Sequence, residues 1–215
     1  MIRILIADDH TVVRQGIKEI LADYADMAVT GEAATGIEVM QRIREQMFDI
    51  LILDMSMPGR CGIELIKQIK TEKPTLPILI FSMHEELQYA VRSLKAGASG
   101  YLIKNSEPND LAAAIHKLMA GGHYFSPAVA EKLAEDALAP KPGLPHERLT
   151  DREFQIFESL VKGKTVTAIA GDLCLSVKTV STHHHNILEK MGIANRAELV
   201  RYALEYKLEG LDVGF

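Results

Sequence analysis

Residues 48–54 read FDILILD, and residues 2–9 read IRILIADD. Each is a short, near-continuous run of Ile, Leu and Phe that stops at acid. Neither approaches the ~20 apolar residues of a membrane span. Unbroken aliphatic runs of this length are the pattern of parallel strands buried on both faces. Working outward, three further apolar stretches follow the same plan: MAVTGEA (27–33), LPILIF (76–81) and SGYLIK (99–104). Between them, apolar residues recur at helical spacing. They are Val13, Ile17, Ile20 and Leu21; Val39, Met40 and Ile43; Ile63, Ile66 and Ile69; Ala90, Val91 and Leu94; and Leu111, Ala114, Ile115 and Leu118. Strand and helix alternating five times predicts an α/β doubly wound domain with a parallel five-stranded, flavodoxin-like sheet. Right-handed crossovers then put helices on both of its faces.

Gly121-Gly122 closes the fifth helix, and residues 126–139 predict one more, with Pro127 in its first turn. PKPGLPHE (140–147) has three prolines and a glycine, which is linker chemistry. From Leu149 onward no strand signal remains, and helical stretches are expected at 150–162, 165–173, 177–191 and 195–208. The expected organisation is therefore an α/β domain over 1–122, a linker helix and flexible linker over 123–147, and a small all-α domain over 148–215. Hydrophobic residues at 47% and charged residues at 25% supply two cores without a membrane segment. The first residues read as a strand, not as a signal peptide. Cys61 and Cys174 suggest neither a disulfide framework nor a zinc site, which suits a reducing cytoplasm. The net charge of −5 sits wholly in residues 1–147, with 15 Lys+Arg against 20 Asp+Glu; residues 148–215 balance at 9 against 9. A neutral second domain permits nucleic-acid binding without announcing it.

In open α/β sheets, ligands sit at the carboxyl ends of the strands where the strand order reverses. With the order 2-1-3-4-5, the first and third strands are neighbours there. Asp8 and Asp9 end the first, and Asp54 ends the third. Three carboxylates this close repel unless a proton or cation intervenes. Oxygen-only ligation suits Mg²⁺ better than zinc or copper. Ser82 and Lys104 end the fourth and fifth strands, offering a hydroxyl and an ammonium to neutralise phosphoryl oxygens. Taken singly, each residue has an ordinary explanation; Asp9, for example, could cap the helix near Thr11. Five of them on one rim suggest a carboxylate that accepts phosphate.

IADDH (6–10), LDMSMPG (53–59), FSMH (81–84) and KAGASGYLIK (95–104) resemble the receiver domain of two-component response regulators, over residues 1 to about 122. The resemblance implies Asp54 as phosphoacceptor, and Mg²⁺ bound by Asp8, Asp9, Asp54 and the backbone carbonyl of Ser56. It implies Lys104 as the ion pair to the phosphate, Ser82 as a switch hydroxyl, and Tyr101 as an aromatic that swings inward. An exposed strand-edge aromatic is an equal alternative for Tyr101.

TVTAIAGDLCLSVKTVSTHHHNILEKMG (165–192) reads as helix, tight turn, helix, with Thr165 and Ser176 as caps. Val177, Val180, Ile187 and Met191 make the expected core stripe of the second helix, with His184 on the same line. Lys178, Ser181, Thr182 and His185 form a polar face sized for a major groove. From spacing alone an ordinary helical hairpin is equally open. LTDREFQIFESLVKG (149–163), the helix pair and NRAELVRYAL (195–204) together look like a LuxR-type DNA-binding domain. Joined to a receiver, that is the NarL/FixJ class. The resemblance implies that Ser181, Thr182 and His185 face base edges, with Lys178 and Thr179 near phosphates. It further implies phosphorylation by a sensor histidine kinase, homodimerisation on phosphorylation, and regulated binding to double-stranded promoter DNA, with RNA polymerase as a further partner. This is a signalling role, not that of an enzyme. One alternative is an aspartyl-phosphate enzyme, disfavoured because Ser56 stands where such enzymes tend to carry a second Asp. Another is a signalling adaptor whose helical domain binds protein.

Overall fold

The computed structural model describes residues 1–57, 62–83, 87–138, 144–173, 175–206 and 208. Strand β1 (Ile2–Ala7) leads into α1 (Thr11–Ala22), β2 (Met27–Ala33), α2 (Gly36–Glu45), β3 (Ile50–Leu53) and α3 (Gly62–Glu72). Strand β4 (Ile78–Ser82), α4 (Leu87–Lys95), β5 (Gly100–Ile103) and α5 (Pro108–Met119) complete the alternation. The strands form one parallel sheet in the order β2-β1-β3-β4-β5. Their alternation sorts the aliphatic runs into two buried layers. Ile4, Ile6, Ile50, Ile52, Leu79 and Leu102 pack with Ile17 and Leu21 of α1 and Leu111, Ile115 and Leu118 of α5. Leu5, Leu51, Leu53, Ile78 and Ile80 point the other way and are equally buried. Helices therefore flank both faces, as the unbroken aliphatic runs predict.

Two strands start later than the apolar pattern does. Strand β4 begins after Pro77, which has no N–H to give the ladder. Strand β3 begins after Asp49, whose carboxylate is taken by Arg3 (backbone N–H to Oδ2, 2.8 Å; Nη2 to Oδ1, 2.9 Å). Those bonds hold the Asp49 carboxyl down to about 2. The outer edge of β5 is not bare: the Tyr101 N–H donates to the Tyr124 carbonyl at 2.7 Å. That approach requires Gly100, where a Cβ would meet the Tyr124 carbonyl oxygen and Leu79 Cδ1, each at 3.0 Å.

The chain divides into two compact units, Met1–Leu133 and Ala134–Phe215, with the division falling inside helix α6 (Pro127–Leu138). The second unit contains α7 (Asp151–Val161), α8 (Val166–Asp172), α9 (Val177–Met191) and α10 (Arg196–Glu205). Phe154, Ile156, Phe157, Leu160, Ile169, Val180, Ile187 and Leu199 are its buried core. Thr150, Thr165, Ser176 and Asn195 each cap a helix by accepting a backbone N–H three residues on. One expectation needs correction. Residues 145–147 read as flexible linker, yet Pro145–Arg148 form a 3₁₀ turn. Pro145 presets φ at its first position, and the Glu147 carboxylate accepts the Leu144 N–H at 3.2 Å. Buried His146 is held by the Tyr202 hydroxyl at 2.8 Å. The remaining linker residues, 140–143, lie outside the described residues, as do Cys61 and Cys174. Among the described residues no helix is long and apolar enough to cross a membrane.

Replacing Gly100 with Ala crowds a backbone carbonyl that cannot swing away. We expect a cost of about 1–3 kcal/mol, read as amide exchange at Tyr101 about fivefold or more faster. Unchanged exchange at Tyr101 would mean that the segment around Tyr124 yields freely.

Candidate functional site

The sheet register delivers the acidic residues to one point. Ala7 lies opposite Leu53, so Asp8 and Asp54 leave the sheet side by side, and the Asp54 N–H donates to the Ala7 carbonyl at 2.8 Å. Ser82, at the end of β4, pairs with Ile103, and the Lys104 N–H donates to the Ser82 carbonyl at 2.9 Å. Asp8 and Asp54 are 1% and 2% exposed, and Ser82 is fully buried. Lys104 Nζ reaches between the acids, 2.6 Å from Asp8 Oδ2 and 3.2 Å from Asp54 Oδ2. The Asp8 contact is a well-directed hydrogen bond; the Asp54 contact is an ion pair without that geometry, and neither Asp54 oxygen has a directed partner. Burial pushes the Asp54 carboxyl upward, Lys104 opposes it, and the Asp8 charge adds to the rise.

Asp9 is partly exposed and does not cap α1. The N-cap is His10, without a side-chain cap bond. Ligand atoms of Asp8, Asp9, His10 and Asp54 all lie within 4.8 Å of one another. Ser56 is exposed just beyond Asp54, and its backbone helps pull the Asp54 carboxyl down. Tyr101 is buried, with only 7% of its surface exposed, so the exposed-edge alternative does not hold. Residues 58–59 and His84, within two of the matching motifs, lie outside the described residues.

Two side chains at this rim carried no role in the sequence reading. Arg14 donates to the Asp8 carbonyl at 2.7 Å and pairs with Glu32 at 2.9 Å. His10 places Nδ1 2.9 Å from Asp9 Oδ1 and 3.3 Å from Asp8 Oδ1. The available signal was position: His10 directly follows two acids, and Arg14 lies one helical turn later.

In the second unit, α9 begins five residues after the end of α8, and the side chains expected on its polar face are accessible. Lys178, Ser181, Thr182 and His185 are exposed, and Thr179 is half-buried. Ser181 and Thr182 donate their hydroxyls to the carbonyls of Val177 (2.9 Å) and Lys178 (3.0 Å), leaving oxygen lone pairs outward. Val177 departs from the predicted core stripe. It is 48% exposed, because the first residue of α9 stands beyond the helices that cover Val180 and Ile187. His184 is half-buried with Nε2 lacking a partner; burial first, then the Arg196 and His185 charges, push its pKa down. His183 is half-buried too, and its Nδ1 lacks a partner.

The α9 frame is locked to α7 by one ion pair. Lys190 Nζ lies 2.8 and 2.6 Å from the two oxygens of buried Glu153. Glu153 also accepts the Thr150 N–H and hydroxyl at 2.8 and 2.9 Å. Burial pushes its carboxyl up, but Lys190 and Thr150 together hold it below the usual range.

A parallel sheet with buried acids and a lysine at its switch point, followed by a helical unit with a capped helix pair, is the architecture of a two-domain regulator. Residues 4–116 match the response regulator receiver domain, and residues 147–203 match the bacterial regulatory proteins of the luxR family. The chain belongs to the response regulators of the NarL/FixJ class, with a receiver domain and a LuxR-type DNA-binding domain. It is 36% identical to response regulator GacA of Pseudomonas protegens over 206 residues, 96% of this chain and 97% of that one. With response regulator UvrY of Escherichia coli it shares 34% over 209 residues, 97% of this chain and 96% of that one. A structure of the Salmonella typhimurium RcsB response regulator superposes with a TM-score of 0.74 at 28% identity, over 95% of this chain and 97% of that one. RcsB from Salmonella enterica serovar Typhimurium bound to promoter rprA with the phosphomimetic BeF₃⁻ gives 0.68 at 29%, over 94% and 97%.

The Glu153–Lys190 pair generates a pH-dependent expectation. A carboxyl held low in the folded state adds stability that is present above its unfolded value of about 4.3 and lost as pH falls below it. Lys190→Met should therefore cost about 1–2 kcal/mol at pH 7, discounted because Lys190 is partly exposed. The gap to wild type should narrow as pH falls through about 4. Amide exchange in α7 and α9 measures both; a gap independent of pH would assign the loss to packing instead.

Proposed function

We propose that this response regulator takes a phosphoryl group on Asp54 from a sensor histidine kinase, and that the modification controls homodimerisation and promoter binding. The observation that carries the reading is Asp54 itself: a buried carboxylate with two undirected oxygens, facing Lys104 and beside two further acids. A buried acid left this way is poised for a reaction rather than for the fold's stability. One Asp54 oxygen attacks phosphorus, and the bond from phosphorus to the donor imidazole nitrogen breaks, its electron pair leaving with the imidazole. Lys104, 9% exposed by side chain, neutralises an equatorial oxygen, and the Ser82 hydroxyl donates to another. Tyr101, buried on β5, is the aromatic that responds to Ser82. The orphaned Asp54 oxygens fit Mg²⁺, with the oxygens of Asp8, Asp9 and Asp54 and the Ser56 carbonyl as holders. When bound, Mg²⁺ supplies charge neutralisation for the incoming phosphoryl group.

In the organisation we favour, receiver 1–122 and DNA-binding domain 148–215 are joined by 123–147, and the protein acts in the cytoplasm as a transcription regulator, not an enzyme. Lys178 and Thr179 approach phosphates; Ser181, Thr182 and His185 face base edges. Because their hydroxyl protons are engaged within α9, Ser181 and Thr182 act as acceptors, suited to the amino groups of cytosine or adenine. A dimer reads two half-sites about one helical turn or a multiple apart, and RNA polymerase is the partner downstream.

Intact-mass measurement after incubation with acetyl phosphate tests the first step. Wild type should gain one phosphoryl group in Mg²⁺ and none with chelator, and Asp54→Ala should gain none; labelling of Asp54→Ala would overturn the assignment. For the helical domain, Lys178→Ala should lower the slope of log affinity against log salt by about 0.9. His185→Ala should weaken the specific site by ~1–3 kcal/mol. Equal loss on specific and random DNA for His185→Ala would remove it from base readout.

A further inference from the structure

His10 stands at the acidic pocket without a structural task of its own. Its side chain is 66% exposed, and it caps α1 without a side-chain cap bond. Only its backbone serves the fold, the N–H donating to Asp8 Oδ1 at 2.8 Å. Its ring nonetheless turns inward, with Nδ1 2.9 Å from Asp9 Oδ1 and 3.3 Å from Asp8 Oδ1. Asp8 divides its oxygens: Oδ2 goes to Lys104 at 2.6 Å, and Oδ1 faces His10. One ligand atom from each of Asp8, Asp9, His10 and Asp54 lies within 4.8 Å of the others. Two ligands on opposite sides of a common ion at ~2.1 Å are about 4.2 Å apart, so small side-chain movements close the set. The two Asp54 oxygens are buried and without directed partners, the kind of partner a cation in the pocket would supply.

The donor set decides which cation. Mg²⁺ takes oxygen and does not seek imidazole. Nickel and zinc favour imidazole nitrogen and accept carboxylates beside it. We propose that His10 supplies Nδ1 to the Asp8–Asp9–Asp54 oxygens, so that the pocket also holds Ni²⁺ and Zn²⁺, in competition with Mg²⁺. With Nδ1 on the metal, the ring proton sits on Nε2, on the exposed side of the imidazole. The reading rests on the proposed role of the acidic pocket but adds a ligand and an ion class to it. A regulator so built responds to transition-metal supply at the same place where it takes phosphate.

Calorimetric titration of the full chain with NiCl₂, and separately with MgCl₂, tests the proposal on wild type, His10→Ala and Asp54→Asn. The chain has eight histidines, so the pocket's share of Ni²⁺ uptake is the part lost in Asp54→Asn. His10→Ala should weaken that share about tenfold or more, while Mg²⁺ affinity stays within about twofold. Retained Mg²⁺ binding also shows that the variant is folded at the pocket. A Ni²⁺ share unaffected by His10→Ala, or Mg²⁺ affinity falling by the same factor, overturns the proposal. Failure of wild type to bind Mg²⁺ would instead count against the phosphoacceptor reading, with the His10 effect on Ni²⁺ still standing.

Discussion

Asp8 and Asp54 are carboxylates buried side by side, and Lys104 is the ammonium that makes this tolerable. Burying like charges together is costly, and a partner at 2.6 Å offsets part of that cost. The compensation is incomplete, because one ammonium faces both Asp8 and Asp54. The pocket is left with a standing demand for positive charge. Much of the first unit serves to keep that demand in place. The parallel register sets Asp8 beside Asp54, the Lys104 N–H is tied to Ser82, and Arg14 anchors the backbone of Asp8 from α1.

The helical unit is organised by a second buried acid, and here the compensation is complete. Glu153 accepts from Thr150 and from Lys190, so it closes the start of α7 and ties that helix to the last turn of α9. Caps at Thr165 and Ser176 set where α8 and α9 begin. Those starts determine which residues of α9 face outward. Asp54 is thus left without a directed partner where reactivity is wanted, and Glu153 is given both a cap and an ion pair where a rigid frame is wanted.

Much of this was legible in the chain. Unbroken aliphatic runs announce strands covered on both faces, and acids at their ends announce the rim, because both signals are local and follow strand periodicity. Caps are equally local, which is why the limits of α9 were read to the residue. Val177 was misread because periodicity places a residue on a face and says nothing of where the covering helices stop. The turn at Pro145–Arg148 was read as linker because prolines break regular structure, whereas here one of them starts a turn. His10 and Arg14 escaped because their roles lie in contacts with Asp8, Asp9 and Glu32, and no periodic pattern marks such contacts.

By itself, then, the sequence determined the alternation of strands and helices, the acids and lysine on one rim, and the polar face of α9. Hydrophobic period and capping chemistry act over a few residues and need no knowledge of the rest of the chain. Tertiary structure alone decided that Tyr101 is buried, that Lys104 favours Asp8 over Asp54, and that the His10 ring turns toward the acids. Each of these depends on distances between residues far apart in the chain or on how a ring is turned at a helix start. Such distances exist only once the sheet register has formed.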